Sequence, residues 1–163
     1  MVEQVLPNDA TPPPALVAAW LTLDNLHLEA VPMWAANWIV QGYDGPSLAE
    51  LAGLNGQDTR EVRDLLPDAL ADTGIAALPS GQAALKIAYD DIATAYLAGR
   101  AQWTWAANEV ARLVIATNYA EENFDHPLSV LWYIDEEIGQ PWARTDDELA
   151  ADVRRLCIDQ LHH

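Results

Sequence analysis

The chain has 163 residues, 51% of them hydrophobic, and eight Lys plus Arg against 25 Asp plus Glu, for a formal net charge of −17. That length and apolar content suit one well-buried core and argue against a second full domain or a largely disordered chain. The charge opposes phosphate-backbone binding, so no nucleic-acid partner is expected.

Residues 1–13 are polar and proline-rich and lack the basic start and apolar core of a secretion signal. They read as a flexible lead-in to a single helical domain over 14–163. From Pro14, the run PALVAAWLTLDNLHLEA spaces Leu16, Ala19, Trp20, Leu23, Leu26 and His27 at three- and four-residue intervals, which predicts one helix through the whole run. Pro32 opens a second segment carrying Trp34, Trp38 and Ile39 before Gly42. A short helix from Pro46 closes at Gly53.

A longer helix is predicted from about Thr59 to Thr73, with Val62, Leu65, Leu66, Ala69 and Leu70 on its apolar face. Pro67 removes a backbone donor there and predicts a kink, or two abutting pieces, near Asp64. Ser80 to Gly99 reads as the longest helix, and Trp103 to Asn118 as another. Pro127 opens a further helix that Gly139 stops. Thr145-Asp146-Asp147-Glu148 matches a capping box for the last helix. Its expected buried stripe is Leu149, Val153, Leu156, Cys157 and Leu161.

No stretch alternates as a strand does, so the expected fold is all-α: one compact domain of about six to eight helices in an orthogonal or irregular bundle. WAAN occurs at Trp34 to Asn37 and again at Trp105 to Asn108. Either a helical pair is duplicated about an approximate twofold axis, or two residue types common in this chain coincide by chance.

The lone cysteine, Cys157, excludes an internal disulfide framework and a thiolate metal cage, and it points to a reducing, cytoplasmic compartment. Every apolar run meets a charge well before the ~20 residues of a membrane span, so no membrane insertion is expected. HExxH, a phosphate-cradling glycine loop and GxSxG are all absent, which argues against an enzyme.

The carboxylates and histidines that could serve as ligands or acid/base groups are Asp24, His27, Glu29, Asp90, Asp91, Glu109, Glu121, Glu122 and His126. They lack the Glu-x-x-His spacing of a bundle metal site, so a solvated acidic face is the better reading and no metal or cofactor is expected. Ser47 to Leu70 has the flavour of a helix-turn-helix, with Arg60 and Arg63 toward a groove. Glu61, Asp64, Asp68 and Asp72 on the same element oppose that use.

Seven tryptophans are the most informative excess. Trp20, Trp38 and Trp132 sit within apolar stripes, whereas Trp103, Trp105 and Trp142 lie nearer segment ends, where an indole can be half buried. Tyr43, Tyr119 and Tyr133 extend the aromatic set.

Aromatic anchors in an acidic rim suit a protein-binding face, because apolar area gives affinity and charge steers a basic partner. The expected contact residues are Trp103, Trp105, Tyr119, Glu121, Glu122, Trp132, Tyr133, Asp135, Glu136, Glu137 and Trp142, with Asp90 and Asp91 as further acidic contributors. The expected function is a noncatalytic acidic module for a basic protein, of the kind that inhibits or confers immunity to a nuclease-type toxin. Two other readings stand beside it. One is a metal-binding bundle or enzyme using Asp24, His27, Glu122 and His126; the other is a homo-oligomeric scaffold, such as a homodimer, built on a tryptophan patch.

Overall fold

A computed structural model of the chain describes residues 11–163, so residues 1–10 of the lead-in expected over 1–13 lie outside the described residues. The described residues form eight α-helices and three short 3-10 turns, without a strand. This is the all-α architecture that the periodicity predicts.

In place of the one core expected, the helices enclose two apolar clusters. α1 (Pro14–Thr22), α2 (Val31–Val40), α3 (Pro46–Ala52) and α4 (Thr59–Asp72) surround Trp34, Trp38, Leu48, Leu51, Val62, Leu66 and Leu70. α5 (Gly81–Leu97), α6 (Trp103–Ala116), α7 (Leu131–Glu137) and α8 (Asp146–Leu161) surround Tyr89, Ile92, Val110, Leu113, Leu131, Ile134, Leu149 and Val153. α1 joins the two: Val17 and Ala18 enter the first cluster, while Ala19 and the following Leu23 enter the second as α1 lies along α5. A helix shared between two cores has to be apolar on more than one face, and PALVAAWLT is.

Local chemistry sets the helix starts. The Asp58 carboxylate accepts from the Glu61 amide, the Ser80 hydroxyl from Ala83, and the Thr145 hydroxyl from Glu148. Each satisfies an amide that the first turn leaves unpaired. Ahead of α1, the extended residues 11–13 are held on α2: Asn37 Nδ2 donates to Thr11 Oγ1 at 2.7 Å, and Trp38 Nε1 donates to the Pro12 carbonyl at 2.9 Å.

Three further expectations are corrected. The first helix stops at Thr22 instead of running to Ala30, because Asp24 takes a left-handed conformation (φ 54°) and the Asn25 amide closes back on the Trp20 carbonyl. Leu28–Ala30 is then a separate 3-10 turn. α4 runs unbroken through Pro67; Arg63, whose carbonyl loses its partner there, and Pro67 are both exposed, so water can take the bond. On α8 the buried stripe continues from Leu156 to Gln160, four residues on, and Leu161 stays exposed.

Both WAAN copies lie on the second helix of their half, at Trp34–Asn37 in α2 and Trp105–Asn108 in α6. α2 packs on α3 and α6 on α7, while the two leading helices, α1 and α5, pack on each other. The parallel weakens beyond this, since α8 lies broadly along α5 whereas α4 only grazes α1.

Candidate protein-binding surface

Between Arg112 and Arg144 the chain contains no Lys or Arg, while Glu121, Glu122, Asp125, Asp135, Glu136 and Glu137 all fall in that interval. The segment begins where α6 ends. Asn118 and Tyr119 are both left-handed (φ 54° and 60°), and the Tyr119 amide closes on the Val114 carbonyl. Asparagine tolerates that region, whereas Tyr119 there carries a conformational cost of roughly 1–2 kcal/mol. The reversal turns the Tyr119 ring outward against Trp132, edge to face at 5.7 Å between centroids.

Two 3-10 turns follow, Glu121–Asp125 and Pro127–Val130, before α7, so the helix expected from Pro127 becomes α-helical only at Leu131. Their three-residue period turns Asn123, His126 and Ser129 inward, with Leu128 beside them, and leaves Glu121, Glu122, Phe124 and Val130 exposed. On α7, Leu131 and Ile134 are buried and Tyr133 and Glu136 face solvent. Beyond Gly139, Trp142 is 68% exposed, the most exposed tryptophan of the described residues. Apart from Tyr43, every exposed aromatic of the described residues, namely Tyr119, Phe124, Tyr133 and Trp142, belongs to this segment.

Other expected contact residues are placed differently. Trp103, Trp105 and Trp132 are partly buried against the second core and give it an aromatic edge. Glu137 is buried and held by Arg144, so it braces the α7–α8 turn and offers no free carboxylate. Asp135 is half-buried, and its own desolvation, with Glu136 beside it, pushes its carboxyl above the usual range. Phe124 is an exposed aromatic that periodicity missed, because a 3-10 turn has no helical stripe from which to read a face.

The remaining carboxylates and histidines are dispersed. Asp24 pairs with Arg63 of α4 at 2.9 Å, and His27 faces Arg112 of α6 at 2.9 Å, so a spacing of three residues does not bring them together once α1 has ended. Glu109 also pairs with Arg112. Asp91 is partly buried; desolvation raises its carboxyl, and Arg100 opposes the shift. Among the described residues, no group of three or more His, Cys, Asp or Glu side chains could hold a metal ion.

On α3 and α4, Arg60 shares an open groove of about 340 Å³ with Glu50, Asp58, Glu61 and Asp64. Four carboxylates around one guanidinium repel phosphate.

The structure does bring Asp90 and His126 together, through Gln160. The Gln160 Nε2 amide donates to Asp90 Oδ1 at 3.0 Å and lies 3.3 Å from His126 Nδ1, while its Oε1 accepts from the Leu128 amide at 3.2 Å. Tyr89 stacks on the His126 ring at 5.0 Å and donates its hydroxyl to Asn123 Oδ1 at 2.8 Å. Asn123 Nδ2 in turn donates to Thr117 Oγ1 and the Ala120 carbonyl, both at 2.8 Å. This buried network ties the 3-10 turns to α5, α6 and α8. Gln160 and Asn123 gave no sequence signal, since a glutamine near a helix end and an asparagine in a turn both read as surface residues.

The described residues are thus all-α, and the segment 119–142 carries both exposed aromatics and exposed carboxylates. Compared with known proteins, the chain matches no family model, no curated protein and no solved structure. Among the described residues, no helix is long and apolar enough to cross a membrane.

Proposed function

We propose that this chain is a noncatalytic binding module that takes a basic protein partner on the face formed by residues 119–142. The observation that carries the reading is the coincidence of exposed aromatics and one-signed charge: Tyr119, Phe124, Tyr133 and Trp142 all lie within the interval that has carboxylates and no Lys or Arg. Exposed aromatic rings supply desolvation area at low entropic cost, and the carboxylates around them accelerate encounter with a cationic surface and reject acidic ones. Elsewhere, Arg63, Lys86, Arg112, Arg144 and Arg155 each pair with carboxylates of this same chain, so the surface potential is negative with little local relief.

The partner class that fits is a protein whose working surface attracts phosphate, such as a nuclease-type toxin, which this face would block. A cytoplasmic setting suits the lone buried thiol of Cys157, which needs no oxidant and forms no bridge within the chain.

The test is affinity capture from the native lysate at low and high salt, with wild-type protein and the Tyr133→Ser/Trp142→Ser double variant as parallel baits. The expected result is one stoichiometric basic protein, released by salt, whose Kd is weakened tenfold or more by the double variant, about 1.4 kcal/mol or more of binding energy. Equal retention by both baits, or no basic protein on either, overturns the proposal.

A further inference from the structure

The orientation of the Gln160 side chain is decided by two partners that have no choice of role. The Leu128 amide can only donate, so it faces Oε1; the Asp90 carboxylate accepts, so it faces Nε2. The second Nε2 hydrogen is left pointing at His126 Nδ1. That nitrogen must therefore present its lone pair, and the ring is the neutral tautomer with its proton on Nε2. A proton on Nδ1 would set donor against donor in a site where Gln160 is fully buried. Turning the amide over gives no relief, because it would strand the Leu128 amide and aim Oε1 at the Asp90 carboxylate.

His126 also occupies the joint between the two 3-10 turns: its amide donates to the Asn123 carbonyl, and its own carbonyl accepts from Ser129. A ring that leaves its place moves the backbone that carries Glu121, Glu122 and Phe124. From these contacts we propose that His126 is a pH-sensitive latch: neutral, it locks residues 119–130 onto α5 and α8, and protonation releases them.

The groups facing the ring act in both directions. From α5, Tyr89 covers one face, Lys86 opposes a positive charge and Asp90 favours one. Asp125 on the adjoining turn favours it, and His163 beyond α8, edge-on at 5.5 Å, opposes it. Burial outweighs them and holds His126 below its ordinary value of 6.5. A histidine lowered in the folded state binds its proton more readily when unfolded. Stability is therefore full above about pH 6.5 and is lost as pH falls from there toward the lowered folded value.

The release of residues 119–130 stands by itself; its consequence, loss of the basic partner on acidification, rests on the binding function proposed above. The test follows the ring signals of His126 and the amide hydrogen exchange of the full chain from about pH 7.5 to about pH 5. Expected are the Nε2-protonated tautomer at the upper end and a titration midpoint below 6.5. Protection over 119–130, corrected for intrinsic exchange, should fall tenfold or more through that titration while α2 and α4 hold theirs.

His126→Asn, which keeps an acceptor facing Gln160 and removes the proton, is expected to make protection independent of pH. Gln160→Glu is expected to raise the His126 midpoint by about one unit or more, by placing a carboxylate against Nδ1. A midpoint at or above 6.5 in the wild type, or protection unchanged through the His126 titration, overturns the latch. So does an undiminished pH dependence in folded His126→Asn. Protection that falls with a partner affinity that stays constant supports the latch and overturns the binding face.

Discussion

Arg144 grips Glu137 with three donors: its backbone amide and Nε reach Oε1 at 2.9 and 3.1 Å, and Nη2 reaches Oε2 at 3.0 Å. The same guanidinium extends Nη1 to Asp152 of α8 at 3.0 Å, so one side chain staples the end of α7 to α8 across the turn that exposes Trp142. Bidentate charge-assisted bonds of this kind are both strong and directional.

These bonds hold the Glu137 carboxyl below its ordinary value of 4.5. A lowered carboxylate contributes stability that is present above the unfolded value and is lost as pH falls through the folded one. Melting temperature should therefore decline in wild-type protein as pH drops below about 4.5. Glu137→Gln is expected to melt lower than wild type at pH 7 and to show a shallower acid decline, both read from thermal unfolding across pH. Equal acid slopes in the two proteins would refute the assignment.

Tryptophans divide by role, and truncation should separate them. Trp38 is fully buried in the first core and bonds the Pro12 carbonyl, so Trp38→Ala is expected to cost about 3–5 kcal/mol in urea unfolding. Trp142→Ala, at an exposed site, should change stability by no more than about 0.5 kcal/mol.

Asp135 and Glu136 are adjacent like charges, and the structure raises the Asp135 carboxyl by burial and by that neighbour. A carboxyl raised in the folded state opposes folding once pH exceeds its unfolded value. Asp135→Asn is expected to stabilise the protein at pH 7 by up to about 0.5 kcal/mol while weakening the basic partner. Urea unfolding and partner titration, run side by side, check that trade. A variant that is less stable than wild type would refute it.

Gly56 sits at φ 80°, and a Cβ there would lie 2.7 Å from the Glu29 carbonyl oxygen. The tight approach seats the α3–α4 loop on the 3-10 turn before α2. Gly56→Ala should cost more than the roughly 1–2 kcal/mol of a left-handed alanine alone. Gly99→Ala, at φ 75° with nothing within 4 Å, is the control without a clash. Equal destabilisation of the two by urea would mean that the Glu29 contact can yield.

Cys157 is fully buried, and burial pushes its thiol up to about 12. A thiol reagent at pH 8 should leave native protein unmodified and label one equivalent in denaturant. Rapid labelling of the native state would contradict the packing.

The elements themselves were legible because they depend on near neighbours in sequence. Ser80 and Thr145 start their helices where the pattern places them, Gly99 and Gly139 take left-handed conformations just beyond the ends of α5 and α7, and Cys157 lies on the buried side of α8. The end of α1 was not legible. Leu26 and His27 continue its spacing, and only the left-handed Asp24, whose carboxylate pairs with Arg63 of α4, shows the chain turning away. Of the expected contact residues, Tyr119, Tyr133 and Trp142 are exposed, whereas Glu137 is spent on Arg144, whose reach back across the turn has no local signature.

By itself the sequence determined what short-range physics decides: an all-α chain, most of its caps and turns, a strongly acidic surface, and an interval from 113 to 143 without Lys or Arg. Tertiary structure alone decided which polar groups left the surface. Gln160, Asn123 and His126 are buried because α5, α8 and the two 3-10 turns each bring the complementary donor or acceptor to one place. A hydrogen bond between residues more than thirty positions apart leaves no period in the sequence, so only packing could reveal it.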